Sequence, residues 1–139
     1  MSLLADFFLS PDDADAVRYE EEPASFADRL QLKSLTELEL STLWAILQGV
    51  EWDESMLDHF ASVFEQQAKD STIQRLPDAL LTDLIALSPA DTPAVASKWA
   101  ATDELACKAE DVLPVIQDLR ALASKASGTQ QHVYFWNCL

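Results

Sequence analysis

The sequence predicts a predominantly α-helical α+β domain: five or six helices packed with a small two- or three-stranded sheet that includes the C-terminal strand. Three observations lead there. Only two glycines, Gly49 and Gly128, occur in 139 residues, too few for a hairpin-rich β fold or a phosphate-cradling loop. Apolar residues recur at helical spacing over most of the chain beyond residue 36. The stretch QQHVYFWNCL, from Gln130, is rich in strand formers and follows a helix stop.

In chain order, Ser10 and Pro11 read as the cap and first position of a short helix, with Asp12 and Asp13 in a first turn that favours acids. Pro23 breaks that helix. Residues 29–35 alternate, with Leu30 and Leu32 against Arg29, Gln31 and Lys33, which is a half-buried strand signal. In TELELSTLWAILQG, Thr36 and Glu39 have capping-box spacing. Leu40, Leu43, Trp44 and Leu47 form its apolar stripe, and Gly49 stops it.

Asp53 can cap a further helix, DESMLDHFASVFEQQ, whose face is Met56, Leu57, Phe60, Val63 and Phe64. STIQRL reads as a short extended piece. A helix from Pro77 buries Leu80, Leu81 and Leu84, and the next begins at Pro89 or Pro93 and buries Val95, Ala96 and Trp99. The longest helix, 109–128, presents Val112, Ile116, Leu119, Leu122, Ala123 and Ala126. Pro114 belongs in or near its first turn, or it kinks the helix. Residues 10–17 and 88–95 agree at five of eight positions, which shared cap chemistry explains without an internal repeat. The C-terminal strand is expected to pair with 29–35 and with 72–76, burying its aromatics in the core. The alternative is an exposed edge that adds to a partner's sheet. Trp44, Phe60, Phe64, Leu84, Trp99 and Ile116 are the expected centre of the core.

Length suits one domain over residues 1–139, and a hydrophobic fraction of 49% with four Trp supplies a core. The net charge is −15. Residues 1–70 hold 16 acids and 4 bases, a net of −12, whereas 71–139 hold 8 acids and 5 bases, a net of −3. Such a surface repels nucleic acid and anionic membranes and favours basic partners. The opening MSLLADFF lacks the positive start and apolar run of a signal peptide. No segment reaches the ~18 apolar residues of a membrane span. A cytoplasmic protein with two thiols, Cys107 and Cys138, is the expectation.

Motifs for chemistry are sparse. His59, Cys107, His132 and Cys138 are metal-ligand types without the close paired spacing of zinc sites. The acids at 13–22 lack the glycine turn of a calcium loop. Neither a metal nor another cofactor is expected, and no catalytic residue can be named. Two acidic stretches stand out as a partner-binding face: Asp12, Asp13, Asp15, Glu20, Glu21 and Glu22, and then Glu51, Glu54 and Asp58 around Trp52. Trp52 has two readings, a staple closing onto Met56 or Leu57 and a hot spot for a Lys- or Arg-rich partner.

The blocks MSLLADFFLS, LKSLTELELSTLWAILQG and VYFWNCL together resemble a group of small acidic bacterial proteins of unknown function. That resemblance carries over no functional residue. The leading expectation is an acidic protein-protein interaction module, inhibitor or immunity-like, for a basic partner. The alternatives are a small enzyme with an unrecognised carboxylate site, and a structural subunit that forms a homo-oligomer through the tail or Trp52.

Overall fold

In a computed structural model that describes residues 3–138, a five-stranded antiparallel sheet runs through the molecule in the order β2-β1-β5-β4-β3. The strands are β1 (Leu4–Ser10), β2 (Arg29–Lys33), β3 (Ala61–Gln66), β4 (Ser71–Arg75) and β5 (His132–Cys138). The helices are α1 (Asp13–Ala16), α2 (Glu37–Gln48), α3 (Asp78–Ala86), α4 (Thr92–Ala100) and α5 (Ala109–Gly128).

The expected small sheet is therefore corrected to a large one. β5 does not pair with 29–35. It lies between β1, in register from Leu4↔Cys138 to Ser10↔His132, and β4, from Ser71↔Cys138 to Arg75↔Tyr134. β2 pairs with β1 instead. The aromatic tail is the middle of the sheet, with both of its edges paired, so it has no free edge to offer a partner.

β1 is a strand buried on both faces. Ala5, Phe7 and Leu9 point to one core, and Asp6, Phe8 and Ser10 face the other way. Burial on both sides removes the apolar–polar alternation by which a strand is recognised.

The expected helix over 53–67 is also corrected. Asp53 does cap, accepting from the Ser55 N–H at 3.0 Å, but it caps a 3-10 turn over Glu54–His59. The chain then extends into β3, whose register shifts between Ser62 and Phe64. The bulge lets Val63 and Phe64 pack on the same cluster, and two adjacent apolar residues on one side imitate helical spacing.

Local signals behave as the sequence suggests. Thr36 and Glu39 form the capping box on α2, and Gly49 ends it in the left-handed region at φ 69°. Pro93 lies in the first turn of α4. Val112, Ile116, Leu119, Ala123 and Ala126 are the buried stripe of α5, although Pro114 falls in its second turn. Ser10 is the last residue of β1 rather than a cap, because Asp12 caps α1.

Helices α2–α5 cover one face of the sheet. Trp44, Phe60, Leu84, Trp99 and Ile116 meet there with Ala5, Phe7, Leu9, Val133 and Phe135. Phe64 does not join them: it is half-buried against the core on the opposite face. That second core consists of Phe8, Ile73 and Tyr134 covered by Ala16, Tyr19 and Phe26. The cover is the connection 11–28 between β1 and β2, a strap laid across the sheet.

Candidate protein-binding surface

The strap carries six of the acids expected to meet a partner, and most of them are used within the molecule. Asp12 caps α1 by accepting from the Asp15 N–H at 2.8 Å. Asp13 accepts from the Tyr134 hydroxyl at 2.6 Å, with the Arg75 guanidinium 3.6 Å away. Asp15 accepts from the Ser10 hydroxyl at 2.7 Å and from Arg18. Glu20 accepts from the Trp136 indole N–H at 2.7 Å and the Ser71 hydroxyl at 2.9 Å. Glu22 pairs with Arg18 at 3.3 Å. Glu21 is exposed and makes no such bond among the described residues.

These bonds join the strap to β1, β4 and β5. A carboxylate that accepts from buried hydroxyls and indoles satisfies their donors, which otherwise carry a desolvation cost. The consequence appears on both sides of the bond. The Ser10 hydroxyl, with help from Arg18, holds the Asp15 carboxyl below its ordinary range against the opposing effect of burial. Burial, then hydrogen bonding to Asp13, pushes the Tyr134 hydroxyl upward.

The second acidic stretch is different. Glu51, Glu54 and Asp58 are exposed, with no side-chain hydrogen bond or ion pair among the described residues. They follow α2 and precede β3, where Met56 and Phe60 bury into the helical core. The strap packs on the opposite core, so the sheet separates the two acidic stretches. The ten residues expected to form one face are two patches, one largely committed to the fold and one not.

Trp52 lies in the uncommitted patch. Gly49 turns the chain out of α2, Val50 N–H still bonds to Ala45 O at 3.0 Å, and Asp53 caps the following turn. Between them Trp52 is 39% exposed and Val50 53%. The indole N–H of Trp52 donates to the hydroxyl of buried Ser41 on α2 at 2.8 Å. The ring is thus held by its N–H and left partly exposed.

Opposite stands the turn after α4. The indole N–H of Trp99 donates to Glu39 O at 2.9 Å and ties α4 to α2. The Thr102 hydroxyl donates to Trp99 O at 2.6 Å and closes the helix end. The two walls enclose an open groove of about 390 Å³. Ala45, Ile46, Val50, Trp52 and Ala101 give its apolar surface, and Asp103 and Glu104 stand in its far wall. Sequence reasoning found Trp52 and Glu51 but missed Val50, Asp103 and Glu104. The one available signal was an apolar pair, Val50 and Trp52, in a loop behind a helix-stop glycine. The pairing of that loop with residues 101–104 is tertiary.

Other candidates offer less. No group of three or more His, Cys, Asp or Glu is gathered as for a metal ion among the described residues. Cys107 is exposed, and Cys138 donates to Lys69 O at 3.3 Å. His59 is exposed and meets the Trp44 ring edge-on at 5.4 Å. His132 Nδ1 lies 3.5 Å from Asp78 in a cleft of about 380 Å³ that also reaches Thr82 and Ser127. No hydroxyl or thiol is bonded to that imidazole among the described residues, and the Thr82 hydroxyl is spent on Asp78 O. Asp6, the buried carboxylate at 7% exposure, accepts from the Tyr19 hydroxyl at 2.7 Å beneath the strap. It lines no cleft named above.

No helix among the described residues is long and apolar enough to cross a membrane. No family model matches the chain, and neither the curated proteins nor the solved structures hold a significant match to it.

Proposed function

We propose that the protein is an acidic protein-binding module that docks on a basic partner protein and neutralises it, in the manner of an inhibitor or immunity protein. The observation that supports this reading is the uncommitted patch. Glu51, Glu54 and Asp58 have no partner of their own among the described residues and lie in the same loop and turn as Trp52, whose indole is hydrogen-bonded but partly exposed. A net charge of −15 then steers a cationic protein toward the molecule and speeds its capture. A cytoplasmic location and the exclusion of nucleic acid as a ligand are parts of the same proposal. Both rest on the sequence grounds of two cysteines and a scattered set of nine bases.

An enzyme has less to stand on, since the buried carboxylate is bonded to the strap and the Asp78–His132 pair lacks a nucleophile. Self-association through the tail loses its basis, because β5 is paired on both sides.

The test is affinity capture from the native host's lysate with the full chain as bait, washed at low and at high salt. One basic protein should be retained at low salt and released at high salt, and a Glu51→Lys/Glu54→Lys/Asp58→Lys bait should fail to hold it. Equal retention by the reversed bait, or no basic protein at either salt, contradicts the proposal.

A further inference from the structure

The groove beside Trp52 has a composition that selects among basic partners. Among the described residues, Leu4, Val50 and Trp52 are the large hydrophobics left exposed, and two of the three line this one groove. No Lys, Arg or His stands in its lining, while Asp103 and Glu104 do, and Glu51 lies in sequence between Val50 and Trp52. Both walls are fixed before anything binds, one by the Trp52–Ser41 bond and the other by the Trp99 bond to α2. A site already ordered loses little freedom on binding, so more of the contact energy appears as affinity.

We propose that this groove takes a basic amphipathic segment of the partner: an aliphatic side chain seated on Trp52 and Val50, flanked by Lys or Arg facing Asp103 and Glu104. The inference rests on the basic-partner reading above and adds to it the place and the chemistry of recognition. Charge complementarity decides the occupant. A second copy of this chain would bring its own −15 to an acidic rim and be repelled. An uncharged apolar segment would leave the rim carboxylates partly desolvated and unpaired. A cation next to the indole gains from the ring face as well as from the acids. At about 390 Å³ the groove suits one or two side chains rather than a folded domain, the size of a hot spot within a larger interface.

The experiment is an amide and indole NMR titration of the full chain with three capped synthetic peptides, KKLLKK, KKKKKK and EELLEE. KKLLKK should shift the Trp52 indole and amides within 42–52 and 101–104. It should bind at least threefold more tightly than KKKKKK, and EELLEE should not bind. Trp52→Ala should weaken KKLLKK at least fivefold. Asp103→Asn/Glu104→Gln, on exposed positions that leave the fold intact, should weaken it at least threefold. Shifts centred on 12–22, or equal binding of both lysine peptides that neither variant alters, would overturn the groove and leave the basic-partner reading standing. No shift with either lysine peptide also overturns the groove, and together with an empty capture experiment it removes both.

Discussion

Asp6 and Tyr19 form a hydrogen bond that neither local sequence announces, across thirteen positions and under the strap. Tyr134 makes the corresponding bond to Asp13. These are the molecule's two tyrosines, and burial raises both hydroxyls above the ordinary value of 10, with the neighbouring carboxylates adding to it. A raised folded value favours the neutral phenol, so the stability it confers is complete below pH 10 and is lost as pH rises beyond it. Ultraviolet titration should therefore show no tyrosinate absorbance at the ordinary midpoint, and then both residues ionising together as the fold opens. A single tyrosine titrating normally while the protein stays folded would contradict the strap geometry. Asp15 works in the opposite direction. Its lowered folded value gives stability that is present above 3.8 and is lost as pH falls below it. The stability difference between the native chain and Asp15→Asn, measured by urea unfolding, should be largest near neutrality and shrink toward zero in acid.

Elements whose signals are local were legible, and those defined by distant partners were not. The α2 capping box, the left-handed Gly49 and the buried stripe of α5 depend on neighbours three or four residues away. β3 is misread as helix because its bulge aligns Val63 with Phe64, and β1 gives no readable signal because both its faces are buried. The order of the sheet depends on pairings such as Leu4↔Cys138, which no local pattern encodes. The site follows the same rule: Trp52 and its acids could be read from one loop, but the wall at Asp103 and Glu104 comes from a helix end some fifty residues on. Gly49 connects element to site, since its φ of 69° carries α2 into the Val50–Trp52 loop. An added Cβ there meets nothing within 4 Å, so Gly49→Ala should cost only the left-handed backbone strain, roughly 1–2 kcal/mol. The check is a lower denaturation midpoint with an unchanged slope; no loss of stability would contradict the assigned turn.

On the function proposed above, the molecule divides its negative charge between two tasks. Acids of the strap hold the second core closed by accepting from Tyr134, Trp136, Ser71 and Ser10. Asp103 and Glu104 in the wall of the Trp52 groove, and Glu51 in its loop, make no such bond among the described residues. A single sequence shows that the charge is uneven, but it does not separate these tasks, because an Asp that accepts a tyrosine hydroxyl and an Asp proposed to meet a lysine are the same letter. The division also bears on interpretation of any mutational scan: loss of binding on changing Asp13 or Glu20 would report a loosened fold before it reported a contact. Binding defects at Glu51, Asp103 or Glu104 would carry no such ambiguity.

Thermal unfolding of two triple variants compares those tasks most directly. Asp13→Ala/Asp15→Ala/Glu20→Ala strands several partly buried donors, a loss of about 3–6 kcal/mol at about 1–3 kcal/mol per group. Tm should fall by roughly 10 °C or more for a domain of this size. Glu51→Gln/Asp103→Asn/Glu104→Gln, at exposed positions without side-chain bonds among the described residues, should leave Tm unchanged. Equal losses in the two variants, or a larger loss in the groove variant, would contradict the division of the acids into those that build the fold and those that remain for a partner.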